Sequence, residues 1–278
     1  MEPLAITDHL SLGKGAPLMV IAGPCVIEDD ITTFQIAESL KKITSELELP
    51  FIFKASFDKA NRTSLHSFRG PGLQEGLQIL AHTKKALGIP ILSDVHDISQ
   101  VEPAAQVLDV LQVPAFLCRQ TDFLLEVGRS GRTVNIKKGQ FLSPWDISHI
   151  IEKVTSTGNQ RLFITERGVS FGYNNLVVDM RSIPIIQAEG CPVVFDATHS
   201  VQLPGGAGSS SGGQRQYAPV LARAAVAAGA DGVFLEVHPD PDHALCDGPN
   251  SLALEGVPAL LSQLRQLRQV VSSGDSGA

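Results

Sequence analysis

Six cations stand in or close behind apolar, β-forming runs of this chain: Lys54, Lys59, Arg62, Arg119, Lys137 and Arg167. Guanidinium groups meet phosphate or carboxylate oxygens two at a time, and ammonium groups act as point charges. The inventory therefore suits one or two small substrates that carry phosphate and carboxylate. In KASFDKANRTS, residues 54–64, basic, hydroxyl and amide groups share one segment, as recognition of a phosphorylated sugar needs. Four further residues have metal-ligand chemistry: Cys25, His199, Glu236 and Asp247. A thiolate, an imidazole and two carboxylates suit Zn or Fe(II), with Mn tolerated through the oxygens. Taken singly, Cys25 also reads as a small buried residue and His199 as a hydrogen-bonded loop histidine, because no local Cys-x-x-Cys pair supports the ligand set.

The elements that must position these groups recur regularly. Short β-rich apolar runs alternate with helix-patterned stretches, the signature of βα units on a parallel sheet. Strands are expected at 18–23, 51–56, 90–95, 107–114, 133–138, 162–167, 192–198 and 232–238. Eight strands, each followed by a helical pattern, predict a closed (β/α)8 TIM barrel in one domain over residues 1–278. Residues 4–12 read as a small N-terminal β-hairpin capping the bottom of the barrel. LPGGAGSSSGG, residues 203–213, reads as a flexible loop placed where an active-site lid would belong, and residues 272–278 as a disordered tail.

Catalytic residues of such barrels come from the C-terminal ends of the strands, and the polar residues gather there. In strand order they are Cys25; Lys54 and Ser56; Asp94 and His96; Gln112 and Arg119; Lys137 and Lys138; Glu166 and Arg167; Asp196 and His199; Glu236 and His238. Charges at so many strand ends are costly without a polar ligand, although solvated loop charges and internal salt bridges are the plain alternative.

The composition narrows the partners. A formal charge of −7 argues against a general nucleic-acid or anionic-membrane partner, so a basic cluster has to be a local site. The N-terminus lacks a leader pattern and no apolar run approaches the roughly 18 residues of a membrane span, so a cytoplasmic protein is expected. The four cysteines, Cys25, Cys118, Cys191 and Cys246, lie far apart and read as free thiols or metal ligands rather than disulfides.

IAGPCVIE, FKASFDKANRTS, ILSDVH, PAFLCRQTD, VNIKKGQF, ITERGVSFGYNNLVVDMRS, FDATHSVQLPGG and FLEVHPDPDHALCDGPNSL, in that order, closely resemble the 3-deoxy-D-manno-octulosonate-8-phosphate synthase family. The resemblance covers nearly the whole chain. It implies a homotetrameric barrel enzyme that joins phosphoenolpyruvate to arabinose 5-phosphate on the way to the lipopolysaccharide inner core. It also implies that Lys54, Ser56, Lys137, Arg167, His199 and Gln202 serve phosphoenolpyruvate, and that Lys59, Asn61, Arg62 and Thr63 serve the sugar phosphate. The family usually has Ser at the place of Thr63. Arg119 would come from a neighbouring subunit, and Asp94, Gln112 and Phe116 join the substrate-binding set. Lys54, Lys137, His199 and Asp247 are the candidate catalytic residues. Cys25 resembles the metal-dependent branch, whereas CDGP, Cys246 to Pro249, resembles the metal-free one; a divalent metal on Cys25, His199, Glu236 and Asp247 is expected, with CDGP supplying only Asp247.

The chemistry implied is attack by C3 of phosphoenolpyruvate on the sugar aldehyde, addition of water at C2 and loss of phosphate by C–O cleavage. Positioning and charge stabilisation dominate such a reaction. Two other readings use the same residues: a Schiff-base aldolase with Lys54 or Lys137 as the amine, and a non-catalytic phosphosugar sensor that keeps the anion pocket.

Overall fold

The computed structural model describes residues 2–62, 64–205 and 212–274. Eight parallel strands close into a barrel: Met19–Gly23, Phe51–Lys54, Ile91–Asp94, Val110–Val113, Thr133–Lys137, Leu162–Glu166, Val193–Asp196 and Gly232–His238. Strand eight pairs with strand seven and also with strand one, from Gly232 beside Met19 to Glu236 beside Gly23, so the sheet has no open edge. The strands formed where the apolar runs were, each trimmed to the residues that share ladder bonds. Their continuous Val, Ile, Leu and Phe content fits strands covered on both faces.

Eight α-helices among the described residues follow the strands, from Asp30–Glu46 to Val257–Gly274. Local chemistry sets their ends. The Asp29 side chain accepts a hydrogen bond from the Thr32 amide at 2.7 Å and starts the first helix. Gly88, left-handed at φ 61, ends the second. The last helix continues through Ser272–Gly274, which sequence alone assigned to a tail; residues 275–278 lie outside the described ones.

An antiparallel hairpin, Leu4–Thr7 with Leu10–Leu12, precedes the barrel. Ile6 and Leu12 are buried against the barrel's interior cluster, where Ile21, Ile52, Leu92, Val110, Phe163, Val194 and Phe234 form an apolar layer. Burying each such side chain is worth roughly 1.5–3 kcal/mol, so the lower barrel is a packed plug rather than a channel. Of the expected flexible loop, Gln202–Leu203 pairs with Gly212–Gly213 in a short antiparallel ribbon, and residues 206–211 lie outside the described ones. No helix among the described residues is long and apolar enough to cross a membrane.

Candidate active site

Strand alternation decides which polar groups converge. Side chains two residues apart share a face, so each residue two places beyond the apolar layer also points inward. Ile52 leads to Lys54, Leu92 to Asp94, Val110 to Gln112, Val194 to Asp196 and Phe234 to Glu236, all of them buried. Lys137 follows Asn135 by the same step, and Arg167 follows Thr165. Gly23 lets strands one and two close over this layer, because a Cβ there would sit 1.9 Å from the Lys54 carbonyl oxygen.

The same alternation corrects part of the strand-end reading. Lys138 and Glu166 point to the outer face of the barrel and pair with each other at 3.5 Å, so only one of the two adjacent lysines reaches the site. His238 has the parity of Glu236 yet does not line the cleft, because it stands one step further up the strand: its Nδ1 accepts from the Asp240 amide at 3.0 Å, and its Nε2 lies 3.6 Å from Glu28.

Inside, carboxylates answer most of the cations. Lys54 donates to the Cys25 carbonyl at 2.9 Å and to Glu236 at 3.4 Å. Lys59 lies 3.8 Å from Glu236, and Arg62 donates to Asp247 at 3.2 Å. Lys137 is held by Asp196 and stands 3.5 Å from the centre of the Phe234 ring. Burial pulls the Lys137 pKa down to about 8 against the pull of Asp196. Although burial works against it, His199 and Lys137 keep Asp196 well below the usual carboxylate range. Glu236 is likewise lowered to about 2, where His199, Lys54 and Lys59 outweigh its desolvation. These are charges fixed for a charged reaction.

Arg167 is different. It is 4% exposed, no carboxylate of the described residues lies within ion-pairing distance, and its Nη1 has no hydrogen-bond partner. Among the described residues its guanidinium bonds Gln202 alone, Nη2 donating at 2.9 Å. Burial lowers its pKa, as expected of a desolvated guanidinium awaiting an anion.

A cleft of about 200 Å³ opens above these groups. Of the residues predicted from sequence, it is lined by Lys54, Lys59, Asn61, Arg62, Asp94, Gln112, Phe116, Lys137, Arg167, His199, Gln202 and Asp247. Ser56 lies beneath it, fully buried and bonded to Asp94. Arg119 does not line the cleft; it lies with Asp97 and Asp122 in a neighbouring groove that meets the cleft at His96. Thr63 lies outside the described residues.

Three residues without an assigned role shape the site. His96 lines the cleft and contacts Asp94 at 3.0 Å. Asn135 donates to the side-chain oxygen Oε1 of Gln112 at 2.9 Å and accepts from the Thr165 hydroxyl at 2.7 Å, which turns the Gln112 NH2 toward the cleft as a donor. Asp196, fully buried, accepts at Oδ2 from Lys137 and lies 2.7 Å from His199 Nδ1, and at Oδ1 accepts from the His199 amide at 2.9 Å. Its place two residues past Val194 and three before His199 was a signal that sequence reading could have used.

The metal-ligand set assembles as two overlapping triads, Cys25–Cys246–Asp247 and His199–Glu236–Asp247, with donor atoms within 4.8 Å of one another in each. With His199 Nδ1–H donated to Asp196, the ring's Nε2 lone pair faces Glu236 Oε1 at 3.4 Å and Asp247 Oδ2 at 3.7 Å. Glu236 Oε2 is buried with no hydrogen-bond partner. An imidazole lone pair facing two carboxylates, with an orphaned carboxylate oxygen beside it, fits a cation, and Cys25 joins this group through Asp247, the residue common to both triads.

The profile of the DAHP synthetase I family matches residues 3–273. Curated proteins named 2-dehydro-3-deoxyphosphooctonate aldolase are similar throughout. That of Desulfosudis oleivorans is 63% identical over 273 residues, 98% of this chain and 98% of its own. That of Desulfatibacillum aliphaticivorans is 61% identical over 96% of this chain and 98% of its own. That of Geobacter sulfurreducens is 61% identical over 94% and 96%.

Proposed function

The chain belongs to the DAHP synthetase I family, and on that premise we propose which of its residues carry the reaction. It condenses phosphoenolpyruvate with D-arabinose 5-phosphate and water to 3-deoxy-D-manno-octulosonate 8-phosphate and phosphate, a step in lipopolysaccharide synthesis. The observation that carries the site assignment is Arg167, a buried guanidinium with an unengaged Nη1. A dianionic ligand that reaches it also meets Lys137 and the Gln112 amide, so phosphoenolpyruvate takes the floor of the cleft. Lys54, held by the Cys25 carbonyl and Glu236, stabilises charge next to the reacting carbons. Lys59, Asn61 and Arg62, with Thr63, take the sugar phosphate on the rim.

The same reading gives the site a divalent cation, Zn, Fe(II) or Mn, on Cys25, His199, Glu236 and Asp247, and places the chain with metal-dependent enzymes. When bound, the ion supplies Lewis-acid polarisation of an aldehyde or water oxygen. His199 is then a ligand, oriented through Asp196, and is not free to act as the base. Arg119 does not line the cleft of its own chain but the groove next to it, which supports its donation to a neighbouring subunit of a homotetramer. A cytoplasmic location belongs to the same reading.

Competition between aldehydes tests the substrate choice. Incubation with phosphoenolpyruvate and either arabinose 5-phosphate or erythrose 4-phosphate should yield the eight-carbon phosphorylated keto acid from the first. Turnover of erythrose 4-phosphate alone would overturn the reading and place the chain with the heptulosonate enzymes of the family.

A further inference from the structure

The segment Cys246 to Pro249 enters the reading above only through Asp247, yet its cysteine is packed on the predicted metal thiol. Cys246 Sγ lies 2.7 Å from Cys25 Sγ. The two residues are 3% and 4% exposed and share a small apolar cluster with Val26 and Phe68. The Asp247 carboxylate closes a triad with both sulfurs and belongs equally to the triad of His199 and Glu236. The turn that sets Cys246 beside Asp247 is constrained: Asp247 is left-handed at φ 48, and a Cβ on Gly248 would meet the Pro241 carbonyl at 2.3 Å. Thiolate sulfur binds Zn at about 2.3 Å, so two donors of one ion stand no more than about 4.6 Å apart. Both sulfurs are close enough to share an ion once they separate by about 1 Å, toward the ~3.7 Å of two sulfurs on a tetrahedral centre.

Charge also allows a second thiolate. Lys54 and Lys59 approach Glu236 at 3.4 and 3.8 Å, and Arg62 approaches Asp247 at 3.2 Å. Three cations therefore surround a donor set that would otherwise be too negative for the interior. Resting on the reading of Cys25, His199, Glu236 and Asp247 as ligands, we propose that Cys246 is a further protein donor. The site then presents two thiolates to the ion and takes soft divalent cations, Zn or Cd, ahead of Mn.

The test uses the full chain, stripped by chelation under reductant and titrated with cobalt(II), cadmium(II) or manganese(II) alone. Sulfur-to-cobalt charge-transfer absorbance counts bound thiolates, so Cys246→Ser and Cys25→Ser should each lower it to about half of wild type. Cadmium affinity, read against a chromophoric chelator, should fall at least about tenfold in Cys246→Ser while manganese affinity stays within about twofold. On the unmodified protein, bound cadmium should slow alkylation at both Cys25 and Cys246, read peptide by peptide by mass spectrometry; this arm stands even if a variant does not fold. Undiminished charge-transfer absorbance in Cys246→Ser, or alkylation of Cys246 at the same rate with and without cadmium, would overturn the proposal. Wild-type protein that binds none of the three ions would overturn the metal reading itself, and the two-thiolate site with it.

Discussion

Replacing Asp196 by Asn removes one charge from the point where the anion site and the metal-ligand set meet. The carboxylate is fully buried; its Oδ2 serves Lys137 and His199 Nδ1 together, and its Oδ1 takes the His199 amide and the Thr198 hydroxyl. An Asn amide turned either way puts an NH2 against at least one of these donors. A hydrogen bond to a charged group is worth about 1.5–3 kcal/mol, and breaking a buried pair costs about 3–5 kcal/mol, so a stability loss of about 3 kcal/mol is expected. Binding should change in a more diagnostic way. Lys137, at about 8 in the wild type, is cationic below that pH, so phosphoenolpyruvate affinity should fall as pH rises through about 8. Asp196 is the main group raising the Lys137 pKa against burial. Without it the midpoint moves to lower pH, and affinity at pH 7.5 falls about tenfold or more. His199 loses the acceptor that fixes its tautomer, and metal affinity should fall about 10–100-fold. Calorimetric titration with phosphoenolpyruvate from pH 6 to 9, and with the metal alone, reads both effects. Wild-type affinity with an unmoved pH midpoint would refute the coupling of Lys137 to Asp196.

Arg167→Ala and Lys137→Ala should each weaken phosphoenolpyruvate binding by about 2 kcal/mol or more, the scale of a charge-assisted contact in a desolvated site; affinities within about twofold of wild type would remove them from it. Gly23→Ala drives a Cβ into the Lys54 carbonyl oxygen and should lower stability by at least about 2 kcal/mol in denaturant melts; an unchanged midpoint would mean that strands one and two can separate there. Borohydride with substrate present should trap no adduct on Lys54 or Lys137, and an adduct at either lysine would favour the Schiff-base reading. Sedimentation should find the active species as a tetramer, and an active monomer would contradict the donation of Arg119.

The barrel was legible because its strands are continuous apolar runs set in a regular alternation with helical patterns, a signal that period and composition carry well. Which polar residues turn inward was legible only in part. Lys137 and Lys138 are neighbours in the chain, as are Glu166 and Arg167, and nothing in their identities says which of each pair faces the cleft; register against the apolar layer decides it. Asn135 escaped notice because an amide inside a strand looks like a defect until its bonds to Gln112 and Thr165 are seen. The packing of Cys246 on Cys25 joins residues 221 apart across the closure of the barrel, and no spacing rule reaches that far. Asp196 was visible as a strand-end acid, and its bonds to Thr198 and His199 are local, but its pairing with Lys137 depends on strands five and seven approaching across the barrel.

Phosphate release tests the central claim most directly. With phosphoenolpyruvate alone the protein should release no phosphate above background. Adding arabinose 5-phosphate should release one phosphate for each phosphoenolpyruvate consumed, together with one eight-carbon phosphorylated keto acid. Phosphate released at the same rate without the sugar, or none released with it, would contradict the assignment.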